Sequence, residues 1–489
     1  MSKVNVALQN QQYNRAKVWQ IALFALNNTA TNLFMFLMMY VSYYATGIAG
    51  IGVVVISTIL TAMRMFDGIT DPIIGFIMDK TETKFGKFRP FMIIGNIILA
   101  AMAGVLYHTT HLVPEGMRVL YFIGIYALYI MGYTFQTACT KAGQACLTND
   151  PSQRPVFTMF DSIYNSLLFS GLAVYVSGYL VAKYGGFTQE LFNEFYIFTI
   201  ISSGICTLLA CIAIAPKDRK EFFGIGDNGT KVKFKDYWEV IKSNRGIQML
   251  IVAASTDKLA GSVATNASVM VMLFGIVMGN YALYGQMSSI TMIPTFIIVI
   301  LGVQIARKFG QKQALVVSTW LCMLIYSLLF LLLWLGDPTQ ISTSNLGFMT
   351  IGFLVLYSIG KGVMGVSGGI VIPMIADCAD YETYLSGRYV PGMMGTLFSF
   401  IDKMISSVAT TIIGLAVASI GYTTSMPAAT DPNTPQIFWL TMALFIGMPM
   451  LGWIASIIAM KFYPLDDKKM QEIQTKLQEL KNENVQKAS

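Results

Sequence analysis

Charge is what this 489-residue chain is short of. Only 12% of it is Asp, Glu, Lys or Arg, against about a quarter in an ordinary soluble domain. Hydrophobic residues make up 55%, and the mean hydropathy is +0.59. That balance excludes a soluble globular fold and leaves a polytopic membrane protein. Histidine is almost missing, with His108 and His111 alone and both in one outer segment. The six cysteines (Cys139, Cys146, Cys206, Cys211, Cys322, Cys378) show no metal-ligand spacing and read as free packing thiols. No G-x-x-x-x-G-K-[ST] occurs, so a nucleotide-hydrolysing P-loop is not the source of energy. These gaps argue against an enzyme and against a resident cofactor. No cleavable signal peptide is apparent, because the first apolar stretch is long and lacks a small-residue cleavage pattern.

What is present is a series of long apolar runs. About 20 apolar residues cross a ~30 Å hydrocarbon core as a helix. Spans are predicted at 18–45, 49–78, 91–107, 118–147, 157–182, 194–216, 247–277, 283–306, 313–335, 346–376, 391–421 and 437–461. The runs are continuous rather than short and alternating, which excludes a β-barrel. The expected fold is therefore all-α, with twelve transmembrane helices in two six-helix bundles. The bundles would cover residues 1–216 and 246–462. A cytoplasmic loop at 217–245 would join them, and a cytoplasmic tail at 463–489 would follow.

Lys and Arg placement sets the orientation. With both termini inside, 26 of the 33 basic residues fall in cytoplasmic segments and only Arg118 and Lys183 outside. The rest lie in or near spans. These cations mark topology against anionic lipid in the plasma membrane, not a nucleic-acid surface. A weak internal repeat supports the two halves. GFIMDKTETKFGK (Gly75 to Lys87) and GVQIARKFGQK (Gly302 to Lys312) each follow a second span, with a Gly, then a basic turn, then another Gly. Repeats of six helices are a transporter architecture with the substrate held between halves. The tail KKMQEIQTKLQELKNENVQKAS reads as a short amphipathic helix, solvated or on the membrane surface.

The stretch MRMFDGITDP places Arg64, Asp67 and Asp71 inside an apolar span. Positions three and four apart share a helix face. A lone charge at the bilayer centre costs at least about 2.5–3.5 kcal/mol, so this face must look into the bundle. Two carboxylates against one guanidinium leave one negative charge over. A small monovalent cation, Na⁺, Li⁺ or H⁺, could balance it, with Thr70 adding a hydroxyl oxygen. The alternative is a structural salt-bridge knot.

The run R-x-x-D-x-x-x-D-P-x-x-G-x-x-x-D, spelled by Arg64, Asp67, Asp71, Pro72, Gly75 and Asp79 and followed by Gly86, Lys87, Arg89 and Pro90, resembles the glycoside–pentoside–hexuronide:cation symporter family of the major facilitator fold. Melibiose permease is its best-known member. ADCADYETYLSGR, Ala376 to Arg388, is similar to the family's segment between spans ten and eleven. The resemblance covers essentially the whole chain. It implies that Asp67 and Asp71 bind the coupling cation, helped by Thr134 in span four. It also implies that Arg64 and Lys403 form a charged pair lining the cavity.

The sugar site departs from the melibiose type, which holds sugar hydroxyls on an aspartate in span one and another in span four. Those registers fall here on Thr31, beside Asn28 and Asn32, and on Thr137. Lys141 stands where that type has an aromatic platform. Its anion would be Asp161, Asp257 or a substrate carboxylate, the last implying a uronide. Tyr43, Tyr44, Tyr133 and Tyr164 are loose candidates for sugar contacts, and Asp257, Lys258, Lys361 and Asp402 for cavity groups. Asp79, Arg89, Asp377, Asp380 and Arg388 are expected to latch the cytoplasmic side. The expected activity is symport of a cation with a glycoside or oligosaccharide by alternating access, in a monomer within the lipid bilayer. The alternatives are an uncoupled sugar uniporter or exchanger, and a non-transporting membrane sensor.

Overall fold

The computed structural model describes residues 14–81, 83–148, 153–219, 241–386 and 391–488. Arg388 and most of the 217–245 loop lie outside the described residues, as does the side chain of Asp79. Among the described residues the fold is helical, and extended structure is limited to the isolated bridges Thr83–Gly86 and Ser342–Asn345.

Among the described residues eleven helices are long and apolar enough to cross a membrane, and twelve when one bent pair is counted as a span. They are α1 Val18–Gly47, α2 Val53–Gly75, α3 Phe88–Leu112, α4 Glu115–Gln144, α5 Val156–Tyr184 and α6 Gln189–Ile214. After the central loop come α7, the pair Arg245–Ala264 and Ala267–Val277 bent by 48°, α8 Ala282–Ile305, α9 Gln311–Leu335, α10 Phe348–Ser386, α11 Leu397–Ser419 and α12 Pro435–Phe462. A further helix, α13, covers Asp467–Ala488. The helix of α2 continues to Lys80. Large apolar side chains point outward, with Leu208 60% and Ile293 63% exposed. Such surfaces suit lipid, not water. The span predicted at 247–277 is not straight. The Asn266 side chain accepts the Ser268 amide and restarts the helix after a break.

The chain divides into two compact units. One comprises Met1–Ile51, Phe66–Leu172 and Lys183–Asn228; the other comprises Gly52–Met65, Ala173–Ala182 and Gly229–Ser489. The division runs through α2 and α5, so each gives residues to both units.

The first unit packs Ile21, Phe24, Ile74, Met92 and Cys139 into one apolar cluster. All six cysteines are free, as expected of packing thiols. A carboxylate sits beside this cluster at the start of α3. Asp218, fully buried at its side chain, accepts the backbone amides of Lys87 (2.8 Å), Phe88 (3.2 Å) and Arg89 (3.0 Å) at the start of α3. It also pairs with the Arg89 side chain at 3.3 Å. A negative group on the orphan amides of a helix N-terminus is favoured by both hydrogen bonding and the helix dipole. Gly86 makes this possible. Its φ is +100°, and a side chain there would overlap Asp218.

The second unit packs Ile247, Leu250, Val366, Met374 and Met460. Gly310, which precedes α9, has φ +87°. The second glycine of each repeated loop thus adopts the left-handed backbone that glycine tolerates best, so the resemblance of the two loops extends to their geometry. The tail corrects its expectation. Helix α13 is docked on the C-terminal end of α10 rather than free in solvent: Ile473 is fully buried, the Tyr384 hydroxyl donates to Glu472 at 3.0 Å, and Gln474 donates to Asp380 at 2.7 Å. Ile473 supplies apolar burial that a purely solvated helix would forgo.

Replacing Asp218 with Ala should leave three helix-start amides without their acceptor and cost about 1–2 kcal/mol of stability. Asp218→Asn, which keeps one acceptor oxygen, should lose less. Thermal unfolding of the detergent-solubilised protein checks the order; equal midpoints for wild type and Asp218→Ala would refute it.

Candidate functional site

In the first unit α2 brings its acidic face against α4. Asp67 is 8% exposed, Thr70 7% and Thr134 1%. The Thr134 hydroxyl lies 3.2 Å from Asp67 Oδ1 and 3.1 Å from the Ile130 carbonyl. The Thr70 hydroxyl donates to the Asp67 carbonyl at 3.0 Å and sits 3.3 Å from that of Thr134. Asp71, one turn on along the same face, is half-buried. The structure therefore brings Asp67, Thr70 and Thr134 together from two helices, with Asp71 adjacent in register. The donors are carboxylate, hydroxyl and carbonyl oxygens, the set that hard cations take. Among the described residues no group of three or more His, Cys, Asp or Glu is placed to hold a metal, so softer transition-metal chemistry has no ligand set there. Arg64 is exposed and falls in the second unit.

A second polar group joins α1 to α5 within the first unit. Asn28 donates to Asp161 Oδ1 at 2.6 Å, Asn165 to Asp161 Oδ2 at 3.2 Å, and Asn32 to Asn165 at 2.7 Å. Asn28, Asp161 and Asn165 are half-buried, not sealed. Thr31 is a correction. It is fully buried, and its hydroxyl is held by the Asn27 carbonyl (3.1 Å) and Gln136 (2.9 Å). Gln136 in turn donates to Thr207 and the Met92 carbonyl. Thr31 belongs to an interior lock of the bundle, because its bonds are already spent there. Thr137 is half-buried, with its hydroxyl on the Thr134 carbonyl at 3.2 Å. Lys141 is exposed near the end of α4, where a long side chain can carry its ammonium out of the hydrocarbon. Asp161 serves the two asparagines and not Lys141. Of the aromatic candidates, Tyr43 and Tyr44 are buried, the first against Phe187 at 4.2 Å and the second bonded to His111 at 2.9 Å. Tyr133 and Tyr164 are half-buried, and the Tyr164 ring lies 5.9 Å from Phe160.

In the second unit Lys258 forms an ion pair with the buried Asp402. The Ser456 hydroxyl donates to Asp257 Oδ2 at 3.2 Å, while Asp257 Oδ1 is buried without a hydrogen bond among the described residues. Lys403 is half-buried on α11. The expected latch has other partners. Arg89 pairs with Asp218 of its own unit, and in the ADCADYE block Asp380 meets Gln474 while the buried Glu382 accepts from Asn244 at 3.1 Å. Asp377 is half-buried.

Residues 23–467 match the family described as MFS/sugar transport protein. The chain belongs to that family. It is thus a multi-pass membrane transporter of the major facilitator type and not an enzyme. Its relatives include the glucuronide carrier protein homolog of Escherichia coli, 22% identical with 94% of this chain and 95% of the relative covered. The isoprimeverose transporter of Lactiplantibacillus pentosus is 23% identical over 91% of this chain and 88% of its own. The lactose permease of Leuconostoc lactis is 22% identical over 99% of this chain and 75% of its own. The fold is similar to that of the nucleoside transporter NupG (TM-score 0.62, 13% identity, 92% of this chain and 99% of that one). It is also similar to the E. coli fucose:proton symporter FucP (TM-score 0.53, 12% identity, 92% and 98%).

The α1–α5 group is half-buried where Thr31 is sealed. Sequence reasoning named Asp161 only as an anion for Lys141 and did not single out Asn165. The signal was available: Asn28/Asn32 and Asp161/Asn165 are two polar pairs at i, i+4 spacing, each on one face of an apolar span. Asp161→Ala should raise the half-saturation concentration of the transported sugar about tenfold, the effect of losing one charge-assisted bond. Thr31→Val should leave it within about twofold while lowering thermal stability. Concentration-dependent uptake on the two variants checks this, and the reverse pattern would refute it.

Proposed function

We propose that this chain is a secondary symporter that couples inward movement of a monovalent cation to uptake of a glycoside or oligosaccharide by alternating access, at the plasma membrane with both termini cytoplasmic. The observation that carries the reading is the oxygen cluster of Asp67, Thr70 and Thr134 with Asp71 beside it. Buried acid groups at membrane depth are expensive, and they mark ion pathways far more often than packing. The names of relatives that carry glucuronides, isoprimeverose and lactose support the substrate class. The strong one-sided distribution of Lys and Arg supports the orientation.

The chemistry follows from charge. Asp67 and Asp71 put two negative charges on one face of α2. A cation, Na⁺, Li⁺ or H⁺, cancels one of these charges. Na⁺ or Li⁺ would draw on the two carboxylates, the Thr70 and Thr134 hydroxyls and a carbonyl. A proton would need only one carboxylate. Asn28, Asn32, Asp161 and Asn165 offer amide donors and a carboxylate acceptor to sugar hydroxyls. Binding of either partner must strengthen the other by the same factor, and the halves then rock around the loaded site. A single chain suffices for the cycle.

The test is accumulation of a radiolabelled glycoside panel in membrane vesicles under separate sodium, lithium and proton gradients. One gradient should drive uphill uptake in wild type. Asp67→Cys and Asp71→Cys should abolish it, and Thr134→Val should raise the cation concentration needed by about tenfold. Uptake that only equilibrates, regardless of gradient, would replace symport with uniport; absence of any flux would leave the sensor.

A further inference from the structure

The membrane-embedded charges of the second unit do not cancel. In the interior of its spans stand Arg64, Asp257, Lys258, Lys361, Asp402 and Lys403, four cations against two anions. Lys258 takes Asp402. Asp257 takes Ser456 and leaves one oxygen unbonded. Lys403 has interactions of its own. Lys361 is different: its ammonium lies 5.2 Å from the centre of the Tyr357 ring, and among the described residues no carboxylate pairs with it.

Its position rules out relief by the membrane surface. Lys361 follows the start of α10 at Phe348 by roughly 20 Å of helix, deep in a ~30 Å hydrocarbon core. Its backbone is also fixed. A methyl group added at Gly360 would overlap the Tyr326 ring, and one at Gly362 the Ile298 side chain, so α10 is clamped between α9 and α8 at this level. The ammonium lies beside an aromatic wall. Tyr357 is 6% exposed, stacks on Phe353 at 5.1 Å, and meets Phe274 and Phe445 at 6.3 Å each. An aromatic face attracts a cation but does not neutralise it, and a charge held away from water requires an opposite charge or a ligand. Half-buried itself, Lys361 remains open to one.

We infer that Lys361 is the anion subsite of the transporter and that its ligand is the carboxylate of an acidic sugar, a uronide, whose ring carbons face the Tyr357–Phe353 wall. The site rests on the sugar-transport reading above and narrows its substrate class. It replaces Lys141 as the group that selects for acid. Lys141 is exposed and needs no buried counter-ion, whereas Lys361 does.

The experiment uses gradient-free equilibrium exchange in proteoliposomes of the full chain, so that it does not depend on cation coupling. Methyl glucuronides and galacturonides are compared with methyl glucosides and galactosides, in both anomers. In wild type at least one uronide should exchange with an affinity about tenfold or more above that of its neutral parent, the range of a charge-assisted bond. Lys361→Gln should remove that preference while sparing the neutral sugar, Lys361→Arg should restore much of it, and Lys141→Gln should keep it. Size-exclusion profiles check that the variants fold, and the wild-type comparison stands without them. No preference in any pair, or a preference that survives Lys361→Gln, overturns the inference. A preference lost equally in Lys141→Gln overturns it too. Uronide-selective exchange that ignores every ion gradient would leave Lys361 in place and remove the coupling instead.

Discussion

Everything in this protein is arranged around the cost of taking charge and backbone polarity out of water. In hydrocarbon an unpaired amide has nothing to bond to, so the chain spans as helices whose ladders close internally. The same cost makes each charged side chain at membrane depth a deliberate feature. Asp67 is met by Thr134, Asp161 by Asn28 and Asn165, and Asp402 by Lys258. Asp218 shows the constraint at the edge of the bundle. Fully buried, it is tolerated because three amides at the start of α3 and a guanidinium surround it.

The two sequence halves use that constraint with opposite sign. In the interior of its spans the first carries Arg64, Asp67, Asp71, Lys141 and Asp161, an excess of acid; the second carries Lys258, Lys361 and Lys403 against Asp257 and Asp402, an excess of base. An excess of acid suits a visiting cation, and an excess of base suits a visiting anion. A cargo made of a cation and an acidic sugar would neutralise both, which lowers the cost of moving the loaded site past the hydrocarbon. An empty carrier would keep both surpluses, and the same electrostatics would hold it back from slipping ions across.

The architecture was legible because helix length and apolarity are local properties. Twelve runs could be counted with no tertiary information. The break in α7 was missed since Asn266 acts through a cap, a bond of a few atoms that leaves the apolar run intact. Around the site, the Asp67–Thr70–Thr134 cluster was legible from helical spacing together with a family resemblance. The roles of Thr31 and Asp161 were not. Register alone gives the face a residue occupies, and Thr31 shares its turn with the asparagines, but only packing reveals that Gln136 has already claimed its hydroxyl. Likewise the docking of α13 rests on Met470, Ile473 and Leu477, an apolar stripe in a run that otherwise reads as solvated.

The contrast between Thr31 and its neighbours gives a physical way to separate structural polarity from functional polarity in such a bundle. Thr31, Gln136 and Thr207 are buried and bonded to one another, so opening them to a ligand would forfeit those bonds. Asn28, Asp161 and Asn165 are half-buried, and a sugar hydroxyl can exchange for each of their bonds at little net cost. Lys361 goes further, since its aromatic neighbour satisfies only part of what a buried ammonium requires. A carrier must release its cargo as readily as it binds, so its working groups should be those whose protein bonds are few and exchangeable. By that criterion the site residues are the incompletely satisfied ones, and the mutually bonded network beneath them is the scaffold that keeps their geometry while the cargo changes.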